Sequence, residues 1–141
     1  MSAYQEYTTQ FKDAAVLVEA LCAMKWRTGT LTAADIEVHE EAVALCGYHG
    51  DVRSQRANII IRRAKVGSAS NDIGFVRQED GTYRAIISQY DRGYHNEAFV
   101  DLLSQTYAEK MVEQKAKAKG YRVQKQKLDD GKIRMTLSRW R

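Results

Sequence analysis

Apolar and polar residues alternate along two stretches that share one punctuation mark. Residues 73–88 run Ile-Gly-Phe-Val-Arg-Gln, break at Glu79-Asp80-Gly81, and resume as Thr-Tyr-Arg-Ala-Ile-Ile-Ser. Residues 121–139 run Tyr-Arg-Val-Gln-Lys-Gln-Lys-Leu, break at Asp129-Asp130-Gly131, and resume as Lys-Ile-Arg-Met-Thr-Leu-Ser-Arg. Asp-Gly between strand-like runs predicts a hairpin, because glycine accepts the positive φ that a tight turn requires. In the second hairpin Ile133, Met135 and Leu137 alternate with Lys132, Arg134, Thr136 and Ser138, so one face is packed and the other is wet.

Between the hairpins the period changes from two to that of a helix. Phe99, Leu102, Leu103, Tyr107 and Met111 share one face of a helix over about 95–119. Asn96 is placed to cap its start. Lys115, Lys117 and Lys119 complement the dipole at its end, where Gly120 suits the C′ position.

The first half follows a similar order. Tyr4 to Phe11 reads as a strand, and Asp13 can cap a helix from Ala14 to Lys25. Val16, Leu17, Ala20, Leu21 and Met24 form that helix's buried stripe. Ile36–Leu45 and Asn58–Val66 read as strands joined by a longer connection over 46–55. Ile59, Ile60 and Ile61 in succession imply burial on both faces, hence a central strand.

Strand, helix, strand, strand thus occurs twice, in half-units of about 4–66 and 72–141 within one domain spanning 1–141. Residue identity between the halves is negligible. The predicted class is α+β: a mixed, mostly antiparallel sheet of two strand–helix–hairpin units covered by two helices, ferredoxin-like in arrangement.

Charge changes this picture. Residues 110–141 hold eleven Lys/Arg against three Asp/Glu, net +8, while residues 1–109 hold eleven against fifteen, net −4. The overall +4 therefore hides a basic end that suits an anionic partner. No apolar run approaches the ~20 residues needed to span a bilayer, and the N-terminus lacks a secretory pattern. Two cysteines, Cys22 and Cys46, make no disulfide framework, and Cys22 sits among core positions. A cytoplasmic, reducing compartment and no membrane association are expected.

Residues 56–91 carry a resemblance. Arg56-Ala57-Asn58-Ile59-Ile60-Ile61-Arg62-Arg63 is followed by Gly67-Ser68-Ala69-Ser70-Asn71-Asp72-Ile73-Gly74-Phe75. Glu79-Asp80-Gly81-Thr82-Tyr83 and Ala85-Ile86-Ile87-Ser88-Gln89-Tyr90-Asp91 come next. Together with Thr9–Asp13 and Val38-His39-Glu40 to Gly47-Tyr48, this resembles the hypothetical chloroplast reading frame thirty-five family of cyanobacteria, plastids and other bacteria. The likeness runs to about residue 91, and the basic segment departs from it. The resemblance implies a shared fold and a plastid-like, bacterial or viral origin, and it transfers no activity.

Two loops are candidate binding segments. The loop 67–72 is small and polar, and Ser68, Ser70 and Asn71 with their backbone N–H groups could cradle an anion. Its alternative is a strand connection rich in turn formers. The cluster 90–96 offers Asp91, Arg92 and His95 at the start of the long helix, where a ligand can bind. Its alternative is a capped helix start with an Asp91–Arg92 surface pair.

Known catalytic patterns are missing from the chain. His39-Glu40-Glu41 lacks the second histidine of a zinc protease helix, and neither a phosphate-binding nor a nucleophile-elbow motif occurs. His39, Cys46 and His49 lack the second ligand pair of a structural zinc site. His39 is expected to face solvent from a strand, with Cys46 and His49 at a turn. No catalytic residue, metal or cofactor is therefore assigned.

The basic end provides the other candidate surface: Lys119, Arg122, Lys125, Lys127, Arg134 and Arg139, interleaved with Tyr121 and Trp140. Tyr121, Val123, Lys125 and Lys127 share one face of their strand, and Arg122, Gln124 and Gln126 share the other. Such a pattern suits nucleic acid, or a lysine-rich edge hairpin that blocks edge pairing. Trp140 is expected to pack on the sheet edge. Two functions follow: a non-catalytic adaptor docking onto a protein partner, or a small RNA- or DNA-binding module using residues 115–141.

Overall fold

The computed structural model describes residues 3–139. Its elements are β1 (Tyr4–Tyr7), α1 (Ala14–Ala23), β2 (Ile36–Cys46), β3 (Val52–Ile61), α2 (Arg63–Val66), β4 (Ile73–Arg77), β5 (Tyr83–Ser88), α3 (Glu97–Ala118), β6 (Tyr121–Lys127) and β7 (Ile133–Arg139). Five strands form one sheet in the order β1-β5-β4-β3-β2, every pair antiparallel, and β6 with β7 forms a second sheet. The α+β class with an antiparallel sheet and packed helices therefore holds.

The helices sit on one face of the large sheet. The Asp13 carboxylate accepts from Val16 N at 3.1 Å and caps α1, while the Asn96 side chain accepts from Phe99 N at 3.3 Å and caps α3. Val16, Leu17, Ala20 and Leu21 of α1 meet Phe99, Val100, Leu103 and Tyr107 of α3 over Ile59, Ile61, Ile73, Phe75, Ala85 and Ile87 of the sheet. Full burial of each such aliphatic side chain contributes roughly 1.5–3 kcal/mol. The Tyr107 hydroxyl accepts from Lys12 N and Asp13 N at 3.1 and 3.0 Å, which ties α3 to the start of α1.

The other face is covered by the sheet's own edge. The β2–β3 register slips between Val38 and Val43, a bulge that bends β2. Its freed carbonyls are satisfied: Asn58 Nδ2 donates to His39 O and Glu40 O, Arg77 Nη2 to Glu40 O, and Arg56 to Ala42 O. The bent half lays Leu45 over Ala57, Ile60 and Ile86 as a second small core. At Gly74 an added Cβ would lie 2.6 Å from Ala57 Cβ and 2.9 Å from a Leu45 methyl, so this position admits only glycine without movement.

Four expectations are corrected. First, the connection expected over 46–55 is a tight hairpin turn, because β3 starts at Val52 and not at Asn58. The polar run Arg53–Arg56 reads as loop, yet pairing with β2 holds it extended. Second, the chain turns into α2 after Ile61 instead of continuing as strand to Val66, and β1 ends at Tyr7. Third, Leu102 is 53% exposed, off the buried stripe. Fourth, the C-terminal hairpin does not join the five-stranded sheet. The sheet ends at β1 and β2 with no pairing to β6 or β7, and the hairpin packs instead on the opposite side of α3. There Asp101, Gln105, Ala108, Glu109 and Val112 face Ile133 and Met135. The helix thus has two working faces, with Phe99, Leu103 and Tyr107 on one and this stripe on the other. Trp140 and Arg141 lie outside the described residues.

Candidate functional site

Two regions carry concentrated polar chemistry, one at the β2–β3 turn and one on the C-terminal hairpin. At the first, Asp72 is 1% exposed. Its carboxylate accepts from Arg62 Nη1, Cys46 N and Arg63 N at 2.8, 2.7 and 2.7 Å. Arg62 also donates twice to Glu37, at 2.7 and 3.0 Å. This guanidinium holds the Glu37 carboxyl below the usual carboxylate range, helped by His39 Nε2 at 2.8 Å, and is itself pushed up by its two acidic partners. The Tyr4 hydroxyl donates to Asp72 O at 2.7 Å, and burial together with the Asp72 charge raises its pKa well above the ordinary range.

Asn71 is equally occupied. Its side-chain oxygen accepts from Tyr48 N at 2.9 Å, and its amide nitrogen donates to Ser88 Oγ and to Asp91 at 3.2 and 3.3 Å. Its backbone N–H also donates to Asp91, at 3.1 Å. Loops 67–72 and 90–96 therefore converge, through Asn71 and Asp91. Beside this junction opens a cavity of about 370 Å³ lined by Tyr48, His49, Asp51, Arg53, Ala69, Asn71 and Tyr90. Tyr48 and Tyr90 are 44% and 58% exposed and form its aromatic rim.

The other loop residues fall elsewhere. Asp91 is buried and makes no surface pair with Arg92, because Asn71 draws its carboxylate inward. Ser68 and Arg92 are exposed. Ser70 is buried, and its Oγ packs near Gly67 with no hydrogen-bond partner among the described residues. His95 is buried between Trp26 and Phe99, with ring centroids at 5.1 and 4.7 Å. Neither of its ring nitrogens has a hydrogen-bond partner among the described residues, and burial pulls its pKa down, with Asp91 opposing and Arg27 assisting. His39, expected to face solvent, is half-buried and bonded to Glu37. Cys46 and His49 lie at the turn.

The second region is the β6–β7 ribbon. Tyr121, Val123, Ile133 and Met135 are half-buried on its helix side. Lys125 lies on that side too, ion-paired with Glu109 at 3.4 Å and with Glu113. Glu113 raises the Lys125 pKa. Burial pushes the Glu113 carboxyl up, but Lys125 and Lys110 outweigh it and hold it low. Gln105 Nε2 donates to Gly131 O at 3.1 Å and pins the turn to the helix. On the wet side the register opposes Arg122 to Ser138, Gln124 to Thr136 and Gln126 to Arg134. All six are exposed. Lys119, Lys127, Lys132 and Arg139 flank them and are exposed as well, with the Arg139 guanidinium 5.7 Å from the Tyr121 ring.

All six basic residues expected to act together are exposed, but the register puts Arg122 and Arg134 on the wet face and Lys125, Lys127 and Arg139 on the other, where Lys125 pairs with α3. The cavity residues Tyr48, Asp51 and Arg53 escape sequence reading. The available signal is Gly47-x-x-Gly50, which sets the same turn as the two Asp-Gly hairpins.

Among the described residues no three His, Cys, Asp or Glu side chains are placed to hold a metal ion, and no helix is long and apolar enough to cross a membrane. The molecule is an α+β protein in which one long helix joins an antiparallel sheet to a basic β-ribbon. The chain belongs to the family described as "Protein of unknown function (DUF1257)", whose sequence model matches residues 30–136 of 141. The match extends into the ribbon and ends within β7. Comparisons with curated proteins and with solved structures give no match.

Proposed function

We propose that this protein is a nucleic-acid-binding accessory factor that uses the β6–β7 ribbon and the end of α3. The observation that carries the reading is the wet face of the ribbon. Its six cross-strand partners are all polar or basic, none is acidic, and Lys125, the strand lysine that meets carboxylates, does so on the opposite face. A face meant only to stay solvated gains as much from mixed charge. Purely cationic charge favours a polyanion, whose counterions are released on binding. Replacing Arg122, Lys132 and Arg134 together with Glu is expected to weaken binding to mixed nucleic acid at least about tenfold and to flatten its salt dependence. Unchanged affinity, or no wild-type binding at low salt, contradicts the reading.

A second reading is an adaptor that docks a protein at the β2–β3 turn. It is supported by the exposed Tyr48 and Tyr90 at the cavity, since exposed aromatics are enriched at interfaces. A co-purifying partner kept by the wild type and lost on Tyr48→Ser with Tyr90→Ser is the expected result. Retention by that variant counts against it. The likeness over residues 56–91 supports a finer place with the hypothetical chloroplast reading frame thirty-five family. Two half-buried free cysteines, Cys22 and Cys46, support a reducing compartment.

A further inference from the structure

The ribbon's wet face is more specific than its charge requires. Phosphate attraction needs only lysines, and Lys119 and Lys132 already supply them near the ends of the ribbon. Between them the exposed cross-strand pairs are Arg122 with Ser138, Gln124 with Thr136, and Gln126 with Arg134. Arg, Gln, Ser and Thr are the side chains whose donors and acceptors match base edges.

We propose that this face enters the major groove of double-stranded DNA. Gln124, Gln126, Arg134 and Thr136 then approach the base edges, and Arg122 and Lys132 approach the phosphates. This deepens the nucleic-acid reading above and rests on it.

Dimensions support the fit. Two paired strands lie about 4.8 Å apart, and side chains widen the ribbon to a size that the groove, about 12 Å wide, is known to admit. Residues 122–126 span about 13 Å of strand, which is close to four base pairs at 3.4 Å each. The ribbon is also braced. Glu109 and Glu113 hold Lys125 from behind, and Gln105 holds Gly131. The outer face is thus presented by a fixed backing and not by a loose arm. Double-stranded RNA is excluded by the same geometry, because its major groove is too narrow and deep for side chains to read.

The test uses the full chain with three probes of one mixed sequence: a short DNA duplex, the matching RNA duplex and the single DNA strand. Anisotropy titrations are expected to show the DNA duplex bound about tenfold tighter than either alternative. Gln124→Ala with Gln126→Ala, melting like the wild type, is expected to lose discrimination in a selection from randomised duplexes and to keep its salt slope. Arg122→Ala with Lys132→Ala is expected to lower the slope by about two and keep the discrimination. Equal or tighter binding to RNA duplex or single strand overturns the groove assignment and leaves the general reading standing. Absence of binding to all three at low salt overturns both.

Discussion

The β4–β5 and β6–β7 hairpins share one turn and meet opposite fates. In the first, Gln78 N donates to Thr82 O and Gly81 N to Gln78 O; in the second, Leu128 N donates to Lys132 O and Gly131 N to Leu128 O. Asp80 and Asp130 each accept from the backbone N–H two residues on, at 2.9 and 3.0 Å. Gly81 and Gly131 have φ of +88° and +85°. Turn chemistry therefore makes a hairpin and does not decide where it goes. The strands decide. Phe75, Ala85 and Ile87 are fully buried against the helices, with Ile86 and Gly74 buried behind. In the other hairpin nothing is fully buried and the wet face is polar throughout. One hairpin became core; the other kept an exposed, polar face.

The largest expected effect tests that contrast in the core. Phe75→Ala should cost about 3–5 kcal/mol in urea denaturation. Met135→Ala should cost well under half of that, because its site is only half-buried. Equal losses would mean that the ribbon carries the fold as much as the sheet does. Gly74→Ala should follow, at about 1–3 kcal/mol from overpacking against Leu45 and Ala57.

Next come the shared turns. Gly81→Ala and Gly131→Ala each force a side chain into a left-handed conformation, at about 1–2 kcal/mol. The first should lower global stability. The second should mainly speed amide exchange in β6 and β7, leaving the core amides protected. Global loss from both variants removes the distinction.

pH should separate the regions as well. His95 has its folded pKa below the ordinary 6.5, so the unfolded state binds the proton first. Stability should fall as pH drops below about 6.5, and His95→Phe should remove that step from a melting-temperature profile. Glu113 is held below its ordinary 4.5, so its contribution is present above that value and fades beneath it. A wild-type profile flat from pH 7 to 5 contradicts the His95 assignment. The smallest effect is Glu113→Gln, worth at most about 1 kcal/mol because the pair is partly exposed. Its signature is a looser ribbon in amide exchange.

Much of this was legible in the sequence. Asp13 and Asn96 announced their helices by capping chemistry, and three successive isoleucines announced a central strand. The β2–β3 turn escapes the sequence pattern because Tyr48-His49-Gly50 does without the Asp that marks the other two, although Gly47 N to Asp51 O and Gly50 N to Gly47 O repeat the same bonds. The bend that brings Leu45 over Gly74 was hidden, since a bulge leaves no periodic trace. The meeting of Asn71 with Asp91 was hidden too: twenty residues apart, they are joined by the return path of β4 and β5. The ribbon's separate position follows from α3 having a second stripe, which the stronger Phe99–Tyr107 pattern masks.

The most direct test of the central claim is an amide-shift map of the full chain titrated with a short DNA duplex at low salt. The account predicts perturbations confined to residues 115–139, strongest at Gln124, Gln126, Arg134 and Thr136 and absent from Tyr48, Asn71 and Tyr90. Perturbation centred on those three, or none anywhere, would contradict it.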